Sequence, residues 1–110
     1  AMDEALLKRA MAIVEKNMDN IEFSTDEFAR EMNMSRSNLH LKLKAITGES
    51  TIDFIRKIRF NEAAKLLKDG RYTVAEVSTM VGFNTPSYFA TSFKKYFGCL
   101  PTEYIKKSKG

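Results

Sequence analysis

The sequence predicts an all-α fold of seven helices, arranged as two helix-turn-helix subdomains joined by a long linker helix. Three observations predict it. Apolar residues recur at spacings of three and four along nearly the whole chain, and no alternating strand pattern survives beside them. Residues that cap helices and residues that stop them follow one another at short intervals. Finally, the chain repeats itself. From Ser37 onward the register is 50 residues: Ser37 matches Ser87, Leu39 Phe89, Leu43 Phe93, Lys44 Lys94, Gly48 Gly98, Phe54 Tyr104 and Ile55 Ile105. Before the turn it is 49: Glu27 matches Glu76, Phe28 Val77, Asn33 Gly82 and Met34 Phe83. A one-residue slip at a predicted turn is hard to obtain by chance. It implies two copies of one helical unit, which suits contact with a duplex at two successive grooves.

The first helix spans roughly Asp3–Met18, with Leu6, Leu7, Ala10, Ile13, Val14 and Met18 on one apolar stripe. Asp19 and Asn20 stop it. Ser24-Thr25-Asp26-Glu27 reads as a capping box, opening a second helix that runs to about Met32. Asn33 ends that helix, because Asn tolerates the left-handed conformation a tight turn needs. Ser35 caps a third helix, about Arg36–Thr47, and Gly48 terminates it. Ser50 caps a long fourth helix, about Thr51–Asp69, which ends at Gly70. Its expected inner face is Ile52, Ile55, Ile58, Ala63, Leu66 and Leu67. Thr73-Val74-Ala75-Glu76 is a second capping box, opening a fifth helix to Val81, with Gly82 in the place of Asn33. Thr85-Pro86 starts the sixth helix, where the missing N–H of a proline costs nothing. It stops at Gly98. Pro101 opens a short seventh helix that ends near Lys107, before a frayed Ser-Lys-Gly tail.

The 110 residues suit one domain, or two very small ones sharing contacts. The expected division is residues 1–50, 51–69 and 70–110: an N-terminal subdomain, the linker helix and a C-terminal subdomain. No apolar run approaches the ~18–20 residues of a membrane span. No secretory leader is visible, and Asp3 and Glu4 open the chain. Ala1 before Met2 reads as a cloning scar, so a domain cut from a longer protein is expected. The single cysteine, Cys99, permits no internal disulfide and fits a reducing cytoplasm. It is expected as a small buried or turn residue. With one His and one Cys, no four-ligand zinc site of the usual kind is expected. Residues 1–34 carry four Lys and Arg against eight Asp and Glu, and residues 35–110 carry fourteen against six. That polarity suggests a basic face for phosphates, although ordinary solvated helix surface explains the charge equally well.

A helix-turn-helix needs a short first helix, a tight turn and a second helix half buried and half exposed. Both units meet this. In the first, Phe28, Ala29, Met32, Met34, Leu39, Leu43 and Ile46 are expected in the core. In the second these become Val77, Met80 or Val81, Phe83, Phe89, Phe93, and Tyr96 or Phe97. Left exposed on the third helix are Arg36, Ser37, His40, Leu41 and Lys44. On the sixth they are Pro86, Ser87, Tyr88, Ala90, Thr91, Lys94 and Lys95. The series Phe83, Phe89, Phe93, Phe97 faces inward by its spacing and reads as core filling, not as a platform for bases.

These residues carry a family resemblance. Val74–Tyr104, VAEVSTMVGFNTPSYFATSFKKYFGCLPTEY, resembles the signature of the AraC/XylS family of transcription regulators. The GF after the fifth helix, the PSYF opening the sixth, the FKKYFG closing it and the P-x-E-Y beyond all fall in family register. The earlier MSRSNLHLKLKAITG resembles the family's first helix-turn-helix. The wording is most similar to output domains at the C-terminal end of hybrid two-component sensor–regulators. The resemblance implies that the third and sixth helices enter adjacent major-groove segments of double-stranded DNA. Carried over by position, base contacts come from Ser37, His40, Leu41, Ser87, Tyr88 and Thr91. Phosphate contacts are expected from Ser35, Arg36, Lys44, Arg56, Thr85, Lys94 and Lys95. Arg56, Lys57 and Arg59, on the linker helix, serve either phosphates or the core which that helix braces. Two positions depart from the pattern: Leu41 often is Arg in relatives, and Thr91 often is basic. Both changes remove a reader of guanine, and Leu41 gains access to thymine methyls. Leu100 stands where a capping Ser or Thr is common, so a loosely started seventh helix is expected.

The leading expectation is therefore a DNA-binding regulator domain without cofactor, metal or small-molecule ligand. It would be cytoplasmic, including the cytoplasmic end of a membrane-anchored sensor. Its dimerisation is expected through a domain outside this chain. RNA polymerase is a further expected partner. The alternative is a helical interaction module whose basic face meets acidic helices, for instance of a polymerase subunit or a partner regulator. An enzyme is not expected, because no phosphate loop and no carboxylate–His constellation is present.

Overall fold

A computed structural model describes residues 2–109 and contains seven helices and no strand among them. They are α1 (Met2–Lys16), α2 (Thr25–Glu31), α3 (Arg36–Thr47), α4 (Thr51–Asp69), α5 (Val74–Met80), α6 (Pro86–Phe97) and α7 (Pro101–Lys109). None of the described helices is long and apolar enough to cross a membrane. The chain divides into two compact units, Ala1–Asn17 with Glu22–Ile58, and Met18–Ile21 with Arg59–Gly110.

Local chemistry sets the helix ends. Ser35 and Thr85 cap α3 and α6, each accepting from the backbone N–H three residues on, at Asn38 and Tyr88. Gly48 and Gly98 end the same two helices in the left-handed conformation, at φ 78° and 82°. The turn residues Asn33 and Gly82 also have positive φ, 58° and 82°. At Thr73 the capping box is complete: Glu76 N–H donates to Thr73 Oγ1 and Thr73 N–H to Glu76 Oε1. At Ser24 only half forms. Glu27 N–H donates to Ser24 Oγ, but the Glu27 carboxylate instead pairs with Arg30 at 2.6 Å. A cation on the same helix face outcompetes the backbone N–H. At α7 the expected looseness is answered from inside the helix, where Glu103 Oε1 accepts from Leu100 N–H at 3.0 Å. α7 also runs on to Lys109, with Ser108 Oγ donating to Tyr104 O, so the expected frayed tail is helical as far as the described residues go.

Unit 1 closes around Phe28, Leu39, Leu43 and Val14, with Phe23 and Phe54 flanking Phe28 at ring separations of 5.7 and 6.1 Å. Unit 2 closes around Phe60, whose ring lies 5.0–6.5 Å from those of Phe83, Phe89, Phe93, Tyr96 and Phe97. Fully burying a phenylalanine such as Phe28, Phe60, Phe89 or Phe93 contributes roughly 1.5–3 kcal/mol. α4 departs from the sequence reading. Ile52 is exposed, whereas Phe54, Phe60 and Ala64 are buried with Ile55, Ala63 and Leu67; Ile58 and Leu66 are half-buried. The first half of α4 packs into unit 1 and the second half into unit 2, so two stripes replace the single one expected. Tyr96 is also exposed, although its ring stacks on Phe60, and Ala90 is half-buried rather than exposed. Cys99 is buried, in keeping with a packing residue.

Candidate nucleic-acid interface

α3 and α6 each bury one stripe and expose another. Leu39 and Leu43 are fully buried in unit 1, and Phe89 and Phe93, at register 50, are fully buried in unit 2. The opposite stripes follow from helix geometry, since residues three and four apart share a face. On α3 they place Arg36, Ser37, His40, Leu41 and Lys44 in solvent; on α6, Ser87, Tyr88, Thr91, Lys94 and Lys95. The expected site residues on these helices are thus all exposed.

In unit 1 four of them converge. Arg36, Ser37, His40 and Leu41 line an open groove of about 570 Å³ together with Thr25, Ser50, Thr51 and Ile52. Leu41 is 64% and Ile52 52% exposed, so the groove has an apolar lip beside a helix-cap hydroxyl, Ser50. Ile52 and Thr25 were not legible as part of this surface. The spacing of Ile52 and Ile55 mimics a core stripe, and Thr25 reads only as a first-turn residue. Arg36 pairs with Asp26 at 3.1 Å, both exposed, which is worth only about 0–1 kcal/mol and yields readily to a phosphate. Lys44 and Arg56 are exposed but do not line the groove.

In unit 2 the exposed stripe of α6 makes local contacts of its own. The Tyr88 ring rests 5.7 Å from Phe83 while remaining 53% exposed. Thr91 Oγ1 donates to Ser87 O at 3.0 Å, which leaves the hydroxyl's lone pairs toward solvent. Lys94 and Lys95 have no ion pair among the described residues, and neither has Lys44.

Of the linker-helix cations, Lys57 stays exposed in a surface ion pair and Arg59 turns inward. Lys57 pairs with Glu49 at 3.5 Å. Arg59 is 9% exposed and donates inward, Nη1 to Gly82 O at 3.3 Å and Nη2 to Asn20 O at 2.9 Å. Burial pushes its guanidinium below the ordinary arginine value, without approaching neutrality at working pH.

Charge separates the units. Unit 1 holds nine Lys and Arg against nine Asp and Glu, and unit 2 nine against five. The net charge of +4 therefore resides in unit 2. No group of three or more His, Cys, Asp or Glu among the described residues could hold a metal ion.

Comparison with known proteins adds the context. A family model described as a helix-turn-helix domain matches residues 28–107. The chain is 40% identical over 104 residues to histidine kinase P4 of Formosa agariphila, covering 94% of this chain and 8% of that protein. It spans roughly a third or less of several other curated relatives, transcription regulators of Streptococcus mutans and Neisseria gonorrhoeae among them. Among solved structures it resembles the C-terminal domain of AraT, a response regulator from Geobacillus stearothermophilus. There the TM-score is 0.85 at 30% identity, over 93% of this chain and 84% of that one. It also resembles a DNA-binding transcriptional dual regulator from Escherichia coli K-12, with a TM-score of 0.83 at 27% identity, over 94% and 92%.

Proposed function

We propose, because the chain belongs to the AraC-type family of helix-turn-helix domains, that it binds double-stranded DNA sequence-specifically as the output domain of a larger signal-responsive transcription regulator. The observation that carries this reading is the matched pair of exposed stripes on α3 and α6. Each stands opposite a fully buried pair at the same register, as a groove-inserted recognition helix requires. Base readout falls to Ser37, His40 and Leu41 on α3 and to Ser87, Tyr88 and Thr91 on α6. Ser35, Arg36, Lys44, Arg56, Thr85, Lys94 and Lys95 attach phosphates and fix orientation. Leu41, with Ile52 beside it, offers an apolar surface suited to a thymine methyl. The likeness to part of a histidine kinase and to a response-regulator domain supports an output role at the cytoplasmic end of a two-component system. Dimerisation then belongs to the remainder of that protein, and RNA polymerase is a further partner.

Selection of bound duplexes from a random library at two salt concentrations tests the reading. With ~6 phosphate contacts, log K falls with log salt at a slope near −5. Affinity independent of salt, or a selected pool without a preferred sequence, would overturn it.

A further inference from the structure

The internal repeat reaches further back than the helix-turn-helix units. The buried stripe of α1 is Ala10, Ile13 and Val14, and a register of 50, one residue off the 49 of α2 and α5, lands on Phe60, Ala63 and Ala64, all buried in α4. The same register pairs Arg9 with Arg59. Each of these guanidiniums donates to a backbone carbonyl near the turn that follows α2 or α5: Arg9 to the last residue of α2, Arg59 to the turn residue itself. Arg9 Nη2 donates to Glu31 O at 3.0 Å, and Arg59 Nη1 to Gly82 O at 3.3 Å.

The two settings differ. The Arg9 bond is exposed, and water competes with it. Arg59 is buried and holds a second carbonyl, that of Asn20, at 2.9 Å. It also lies against the turn itself: a Cβ at Gly82 would stand 2.9 Å from Arg59 Cζ and 2.6 Å from Met18 O. A planar, always-charged fork bridging two carbonyls fixes both in a way that a flexible ammonium does not. Gly82 is the turn residue between α5 and α6. Phe83, next to it, closes the turn by donating its N–H to Ser78 O at 2.9 Å.

We propose that Arg59 is a positioning residue for DNA recognition: it clamps the α5–α6 turn through Gly82 and so sets the aim of α6, while Arg9 is a weaker, solvent-exposed copy of the same device at the α2–α3 turn. The link to recognition rests on the DNA-binding reading; the clamp on the turn does not, and the two are measured separately.

The test uses Arg59→Met, Arg59→Lys and Arg9→Met, with Ser87→Ala and Ser37→Ala marking which selected base pairs belong to α6 and to α3. Amide hydrogen exchange reads the clamp. In Arg59→Met the Gly82 and Phe83 amides should lose about tenfold in protection, while Asn33 and Met34 keep theirs. Site selection reads recognition. The same variant should lose about tenfold in discrimination at the α6 base pairs only, the size of one good base contact. Arg59→Lys should recover part of both effects, and Arg9→Met should change either by less than about twofold. Unchanged exchange at Gly82 and Phe83 overturns the clamp. Equal loss of discrimination at the α3 and α6 base pairs overturns the positioning role, because a general loss of fold would give it. If Arg59→Met does not fold, Arg59→Lys decides, and wild-type exchange and preference in that variant sink the proposal. If the wild-type chain selects no sequence, the DNA reading has failed, and the exchange measurement still judges the clamp.

Discussion

The two units are built to one plan and filled with different chemistry. In both, a hydroxyl caps the second and third helices of the repeat, a positive-φ residue makes the turn, and a glycine ends the exposed-face helix. Unit 1 is electrically neutral and carries four of the five ion pairs found among the described residues, all on its surface. Unit 2 carries the net positive charge and an aromatic core centred on Phe60. Duplication keeps what geometry demands, namely caps, stops and the buried pair. The positions that meet solvent and ligand are free to diverge. The net positive charge lies in unit 2, and the exposed apolar pair Leu41 and Ile52 lies in unit 1.

Phe60→Ala makes the hardest test of whether these are two bodies. Phe60 touches five aromatic rings, all within unit 2, so its loss should cost about 3–5 kcal/mol. Amide exchange should show α5 and α6 losing protection before α2 and α3. If both units lose protection together, they are one cooperative body and the comparison collapses to a single stability.

The turns give a smaller contrast. Gly82→Ala meets both a left-handed backbone and a backbone oxygen at 2.6 Å. It should destabilise by roughly 2 kcal/mol or more, beyond the ~1–2 kcal/mol that positive φ alone costs a residue with a Cβ. Asn33 is exposed and already has a Cβ, so Asn33→Ala should cost only about 1 kcal/mol. Thermal melts compare the two, and similar losses would show that the α5–α6 turn is not the tighter one.

The helix order, the bounds of α3, α4 and α6, the turn residues and the exposed stripes were legible in the sequence. Local signals set all of them: a hydroxyl at a cap, a glycine at a stop, a period of three and four. What was not legible depends on contacts between distant residues. Arg59 looks like any surface cation of an amphipathic helix until Asn20 and Gly82 are brought to it. The buried face of α4 was legible at Ile55, Ala63 and Leu67 but not at Phe54, Phe60 and Ala64, because two cores draw on one helix. The half-formed cap at Ser24 turned on whether Glu27 met Arg30 or the backbone, a choice that propensity does not make.

Leu41 and Thr91 occupy matched positions, and Arg there tests how the two faces read bases. Leu41 is mostly exposed, so Leu41→Arg should leave the melting temperature nearly unchanged. It should move the preferred base from thymine toward guanine, with ~1–3 kcal/mol of discrimination. A large fall in melting temperature would show that Leu41 supports the unit 1 core. An unchanged preference would remove it from the set of readers.

The smallest expected effects lie with the lysines, and they sharpen the charge comparison. Lys44 and Lys94 match, but Lys95 matches Ala45, so the last turn of α6 has one cation more than that of α3. Counterion release counts phosphate contacts rather than local net charge, each contributing about 0.9 to the salt slope. Lys44→Ala and Lys94→Ala should therefore each flatten the slope by about one unit. The double variant Lys94→Ala with Lys95→Ala should flatten it by about two. All three should weaken every sequence about equally, because phosphates carry no base identity. A slope that moves only for the unit 2 variants would confine phosphate attachment to that unit and deepen the asymmetry. A selected sequence that changes with Lys94→Ala, but not with His40→Ala, would invert the division between side chains that hold the backbone and side chains that read bases.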